Sequence, residues 1–163
     1  VASFSQDQFV ALVQANQGII HKVCSLYCND KEERRDLFQE ITLQLWRSLP
    51  NFRADAKITT WMYRVALNTA ITFLRKQKKA PEVGSLPQAV YNLAGAEPDP
   101  EKEERLRKLY LSIEKLTGVE KAIMMLYLEE HDYAEISEIV GITQNYVRVK
   151  MNRIIHKLRK QIT

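Results

Sequence analysis

The chain has 163 residues, 45% of them hydrophobic and 27% charged, a balance that excludes a disordered polymer and fits one large or two small globular domains. Five Gly and five Pro are too few for the turns of an all-β sandwich, no apolar run approaches the roughly 18 residues that span a bilayer, and no charged-then-apolar leader opens the sequence. The formal net charge of +4 divides into +5 over residues 1–79, −5 over 80–104 and +4 over 105–163, so two basic ends flank an acidic middle.

From Gln6 to about Asn29, the residues Phe9, Leu12, Val13, Ile19, Ile20, Val23 and Tyr27 recur at three and four, the period of one amphipathic helix. Cys24 and Cys28 lie on one face of it. Two thiols build no secreted disulfide framework, and a reducing cytoplasm is the expected setting. His21 shares that face, but with no evident fourth ligand the three read as packing residues rather than a zinc site. A second helix is expected from about Lys31 to Leu49, carrying Leu37, Phe38, Ile41, Leu45, Trp46 and Leu49, with Pro50 ending it. A polar stretch over residues 51–57 precedes a third helix from about Thr59 to Lys79, which closes a first domain at 1–79.

Residues 80–98 hold three of the five prolines and two of the five glycines without a helical period, and read as a flexible linker. The second domain, 99–163, opens with Asp99 as N-cap ahead of Pro100, in a helix that runs to Leu116, where Thr117-Gly118 breaks it. Helices over Val119–Leu128 and Asp132–Val140 follow, separated by a turn at Glu129-Glu130-His131. A last helix runs from Thr143 to about Ile162. The expected fold class is all-α: two small helical domains joined by a flexible linker.

Two constellations carry function. Ser137, then Gly141, then Val147 have the spacing of a helix-turn-helix: a small residue where two steep helices touch, a turn residue that tolerates positive φ, and an apolar side chain returned to the junction. Ile136, Val140, Ile142, Met151, Ile154, Ile155 and Leu158 supply the rest of the inward face. Gln144, Asn145, Arg148, Lys150, Asn152 and Arg153 are donors of the kind that bind base edges and phosphates. They lie in an acid-free tract, 142–163, that also holds Lys157, Arg159 and Lys160. The second constellation is Asn51 to Asn68, where Phe52, Trp61 and Tyr63 stand among Arg53, Lys57, Arg64 and Asn68. Cations that follow a backbone, interleaved with flat side chains that receive unstacked bases, suit single-stranded nucleic acid; a plain core role for Trp61 and Phe52 remains the alternative. This region lies against a second acid-free tract, 56–81, with Arg75, Lys76, Lys78 and Lys79.

Asp36-Leu37-Phe38-Gln39-Glu40, Leu45-Trp46-Arg47, Asn51-Phe52-Arg53, Thr60-Trp61-Met62-Tyr63-Arg64-Val65-Ala66 and Asn68-Thr69-Ala70 resemble the second conserved region of bacterial RNA polymerase sigma factors, in the two-domain extracytoplasmic-function (ECF) type of the sigma-70 family. Residues 114–160 resemble that family's fourth region. The resemblance implies a non-enzymatic initiation factor, without cofactor or metal, that binds core RNA polymerase and directs it to promoters. Asp36, Leu37, Gln39, Glu40, Leu43 and Trp46 would dock on the clamp helices of the largest subunit, and the flap of the second-largest subunit is a further partner. Asn51, Phe52, Arg53, Asp55, Lys57, Trp61, Arg64 and Asn68 would hold the melted −10 element. Thr143, Gln144, Asn145, Arg148, Val149, Lys150, Asn152 and Arg153 would read the −35 duplex. The linker would thread the polymerase cleft, and an anti-sigma factor is a partner that the family adds.

The chain departs from the family pattern at Arg35, where an acid is usual, at Val149, where Ser is frequent, and at Asn145-Tyr146, which replace Gly-Thr, so promoter bases do not transfer from relatives. The alternative function is a helix-turn-helix regulator that binds duplex DNA without being a polymerase subunit; a helical RNA-binding or adaptor protein is a third class. His131 and His156 have no partner pattern nearby, and Glu135 and Glu138 read as solvated faces.

Overall fold

The computed structural model describes residues 4–53, 55–77 and 99–162; the expected linker at 80–98, with Lys78 and Lys79, lies outside the described residues. Every regular element among the described residues is helical, and the chain divides into two compact units, Val1–Lys78 and Lys79–Thr163. No helix of the described residues is long and apolar enough to cross a membrane.

The first unit comprises α1 (Gln6–Ala15), α2 (Gln17–Tyr27), α3 (Lys31–Ser48), a 3-10 turn (Leu49–Asn51) and α4 (Ile58–Gln77). The single first helix expected from Gln6 to Asn29 is thus two. Asn16 breaks it: its side-chain amide donates to the Leu12 carbonyl at 2.9 Å, and its backbone N–H donates to the Val13 carbonyl at 3.1 Å. An Asn that satisfies a nearby carbonyl offers the chain a way out of the helix, and Gly18 two residues on adds low helix propensity. Ser5 and Gln8 form a reciprocal capping box at the start of α1. Glu32 and Glu33 in the first turn of α3 and Arg47 in the last complement its dipole. The chain turns at Pro50 after α3, as its missing N–H and fixed φ require.

α4 packs on both α2 and α3. The core joins Ile20, Val23, Cys24 and Tyr27 of α2 to Leu37, Ile41 and Leu45 of α3 and to Met62, Ala66, Leu67 and Ala70 of α4. Ala66 and Ala70, four apart and wholly buried, let the helices approach closely. Cys24 and Cys28 are buried and joined in no disulfide, and burial, with the neighbouring Cys28 adding to it against Arg34, pushes the Cys24 thiol up to about 12. His21 is exposed and packs its ring on Phe38, centroids 4.9 Å apart.

The second unit comprises α5 (Pro100–Glu114), α6 (Gly118–Leu128), α7 (Tyr133–Val140) and α8 (Gln144–Ile162). Asp99 accepts from the Glu101 N–H at 3.1 Å, and Asp132 accepts from Glu135 N–H at 2.8 Å, each starting its helix as an N-cap should. Thr117, expected only to break a helix, also starts the next one through a capping box with Glu120. α8 packs against α5, α6 and α7, burying Val147, Met151 and Ile154. Ile155, expected inward, is exposed, because the three partner helices cover a narrower stripe than the apolar spacing suggests. His131 has a partner after all: its Nδ1 lies 2.9 Å from Glu135 Oε2, one helical turn on.

Candidate nucleic-acid interface

In the second unit the junction between α7 and α8 is built from the residues that sequence spacing singled out. Gly141 takes φ 81° and ψ 33°, left-handed backbone that an L side chain resists, and its N–H donates to the Ser137 carbonyl at 2.9 Å. Ser137 Oγ donates across the turn to the Ile142 carbonyl. Thr143 Oγ1 accepts from the Tyr146 N–H at 3.1 Å and caps α8, while Val147, fully buried, closes the corner. Thr143, Gln144, Asn145, Arg148, Val149, Asn152 and Arg153 are all exposed. Lys150 is half-buried, with Nζ 5.5 Å from the Tyr146 ring centroid, a cation over an aromatic face. The exposed side of α8 therefore carries amides and guanidinium groups, the donor set for base edges and phosphates.

Lys157, in the same acid-free tract, has a carboxylate partner within the unit. Its Nζ lies 2.8 and 2.9 Å from the two carboxylate oxygens of Glu120 on α6. The Glu120 side chain is 2% exposed, and burial by itself would raise its carboxyl. Hydrogen bonds from Lys157 and Thr117, with the Lys157 charge, outweigh that and hold it below the usual carboxylate range.

In the first unit Asn51, Arg53, Asp55 and Lys57 are exposed along the connection from α3 to α4. Phe52 is half-buried and packs on Trp61, which is 9% exposed, with ring centroids 5.4 Å apart. The loop thus presents Phe52, while Trp61 supports it from the core. Tyr63 is buried too, so the aromatic triplet does not form an open stacking platform. Arg64 and Asn68 are exposed on α4, and they continue into Thr72 and Lys76 as a polar stripe at four-residue spacing.

Asn68, Thr69, Thr72, Phe73 and Lys76 of α4 face Glu40 and Gln44 of α3 across a cleft of about 440 Å³. The Gln44 side-chain amide donates to Glu40 Oε1 at 3.1 Å. Asn68, expected on melted DNA, and Glu40, expected on polymerase, therefore line one cleft. Sequence reasoning passed over Gln44 and Thr72, although their four-residue offsets from Glu40 and Asn68 place them on the same faces.

Among the residues expected to dock on polymerase, Asp36, Gln39, Leu43 and Trp46 are exposed. Trp46 is 42% exposed and packs edge-on against Phe9 of α1, with centroids 5.0 Å apart. Val10 adds another exposed apolar side chain from α1. Leu37 is different: at 0% exposed it belongs to the core beneath α3, because the inward stripe of that helix runs through Leu37, Ile41 and Leu45. It offers no side-chain surface to a partner.

Comparison with known proteins places these units. Residues 12–80 match the family model for sigma-70 region 2, and residues 106–158 match that for sigma-70 region 4. The chain is 28% identical over 169 residues to the ECF RNA polymerase sigma factor SigW of Bacillus subtilis (strain 168), covering 96% of this chain and 90% of that one. It is 31% identical over 146 residues to the ECF RNA polymerase sigma-E factor of Escherichia coli (strain K12), covering 82% and 76%. Its fold is similar to that of the sigma factor RpoE from Bartonella quintana, solved with the anti-sigma factor NepR, at TM-score 0.67 and 12% identity over 94% of this chain and 96% of that one. CnrH, solved with the cytosolic domain of CnrY, is similar at TM-score 0.67 and 15% identity over 96% and 88%.

Proposed function

The chain belongs to the sigma-70 family as an ECF-type RNA polymerase sigma factor, and from that premise we propose how its surfaces divide the work of promoter-specific initiation. The first unit docks on the clamp helices of the largest polymerase subunit through Asp36, Gln39, Glu40, Leu43 and Trp46, and the second unit meets the flap of the second-largest subunit. The exposed apolar side chains Leu43 and Trp46, beside the charged Asp36, support a protein contact on that face of α3.

The connection Asn51–Lys57 and the α4 stripe Arg64, Asn68, Thr72 and Lys76 receive the melted −10 strand. Extruding a base costs a few kcal/mol of stacking, which Phe52 offsets from above Trp61, while Arg53, Lys57 and Arg64 follow the backbone. α8 enters the −35 major groove with Gln144, Asn145, Arg148, Val149, Asn152 and Arg153. The chain performs no bond chemistry in this reading, acts in the cytoplasm and is open to control by an anti-sigma factor, a reading supported by the similar sigma factor RpoE, solved with the anti-sigma factor NepR.

The observation that carries the proposal is the left-handed Gly141 turn, which sets α8 behind α7 with its acid-free donor side exposed. A regulator acting on duplex DNA alone would leave the first unit without a task. Run-off transcription with purified core polymerase tests the proposal: the chain is expected to bind core and confer a defined start site. Binding to duplex DNA with neither core binding nor start-site selection would favour the regulator instead.

A further inference from the structure

Sequence periodicity groups Lys157 with the DNA-facing cations of α8, four residues past Arg153 and seven past Lys150. The structure gives it a buried partner instead, although the Lys157 side chain itself stays 49% exposed. Glu120, its partner, is a fixed point: it is the third residue of α6, its own N–H donates to Thr117 Oγ1 at 3.2 Å, and its Oε1 accepts from the Thr117 N–H at 3.0 Å. A carboxylate that is 2% exposed and already held by a cap then takes two bonds from one ammonium across 37 residues of sequence. A second tie lies alongside, where Lys115 Nζ donates to Gln161 Oε1 at 3.1 Å.

Resting on the reading of α8 as the −35 helix, we propose that Lys157 is a positioning residue: its ion pair with Glu120 sets the angle at which α8 presents its side chains to DNA. The helix is anchored at its start by the Gly141 turn and the buried Val147. Met151 and Ile154 pack its middle, but apolar contacts are non-directional and fix a tilt less closely than charged hydrogen bonds do. Arg153 lies ten residues beyond Thr143, about 15 Å along the axis, so a tilt of about 5° moves it by about 1 Å. That is enough to spoil a bidentate base contact while leaving looser phosphate contacts in reach. The pair at Lys157 supplies a directional anchor one turn past Arg153 and narrows that tilt.

The test uses holoenzyme assembled from the full chain and core polymerase. The probes are a −35 duplex selected by the wild-type holoenzyme from a randomised pool and a scrambled duplex. Failure of the wild type to select any sequence would overturn the promoter reading, and this proposal with it. Given a selected duplex, Lys157→Met is expected to cut discrimination against the scrambled sequence about threefold to tenfold with the salt slope unchanged. Arg153→Ala, as a control for a phosphate or base contact, is expected to lower the slope by about one. Glu120→Gln keeps the capping box, since Gln serves at that position, and is expected to lose discrimination equally, with the double variant no worse than either single one. A slope lowered by about one in Lys157→Met, with Glu120→Gln unaffected, would make Lys157 a DNA contact and overturn the proposal. Unchanged discrimination in both variants would overturn it as well.

Discussion

Phe52 and Trp61 meet with ring centroids 5.4 Å apart and planes inclined by 52°, which ties the connection after α3 to the first turn of α4. Their unequal burial predicts unequal phenotypes. Trp61→Ala opens a cavity in the core and is expected to cost about 3 kcal/mol or more, whereas Phe52→Ala is expected to cost about 1 kcal/mol at a half-buried site. Phe52→Ala holoenzyme should therefore stay folded, form closed complexes normally and open the promoter several-fold less. Urea unfolding and permanganate reactivity of unpaired thymines check the two halves. Equal losses in closed-complex binding and opening would assign the Phe52 ring to packing alone.

Among the described residues of the second unit, Gly141 and Glu130 are left-handed, with opposite residue choices. Gly141, at φ 81°, has nothing within 4 Å of where a Cβ would sit, so Gly141→Ala is expected to cost about 1 kcal/mol through backbone strain alone. Glu130, at φ 66° and exposed, already bears such strain, and Glu130→Gly is expected to gain up to about 1 kcal/mol. Thermal unfolding of the two variants should move in opposite directions. A lower melting temperature for Glu130→Gly would show that its side chain contributes more than the strain it imposes.

Acid should weaken the second unit through Glu120. Its carboxyl is held below the usual 4.5 in the folded chain, so the unfolded chain binds the proton more tightly. The stabilisation is present in full above that ordinary value and is lost as pH falls through the lower folded value. The difference in urea midpoint between wild type and Glu120→Gln should be largest near neutrality and shrink at acid pH. A pH-independent difference would mean that the Glu120 side chain contributes packing rather than charge.

The thiols should be silent. Cys24 and Cys28 are buried, and burial raises Cys24 to about 12, so almost no thiolate is present at pH 8. Both are expected to resist a disulfide reagent in the native chain and to react promptly in urea. Fast reaction of either thiol without denaturant would indicate opening between α2 and α3.

Much of the candidate interface was legible because its parts are local. Asp99 and Asp132 cap their helices within three residues, and Gly141 makes a turn whose partners, Ser137 and Ile142, are sequence neighbours. The break at Asn16 was equally local, yet a side-chain bond to Leu12 overrode an apolar period that continues straight through it. Period alone also could not separate surface from core on α3, where Leu37 is buried while Leu43 and Trp46 are exposed, since all three are apolar and only the packing of α2 and α4 decides which are covered.

By itself, then, the sequence determined the helical content, the two-unit plan and the helix-turn-helix, since hydrogen bonds between near neighbours and the burial of apolar stripes depend on order along the chain. The tertiary structure alone decided which charges and polar groups meet. Lys157 reaches Glu120 across 37 residues, and Glu40 faces Asn68 across a cleft between two helices. Such contacts arise only when packing brings distant turns side by side, and within the basic tract of α8 they give Lys157 a buried carboxylate partner on another helix.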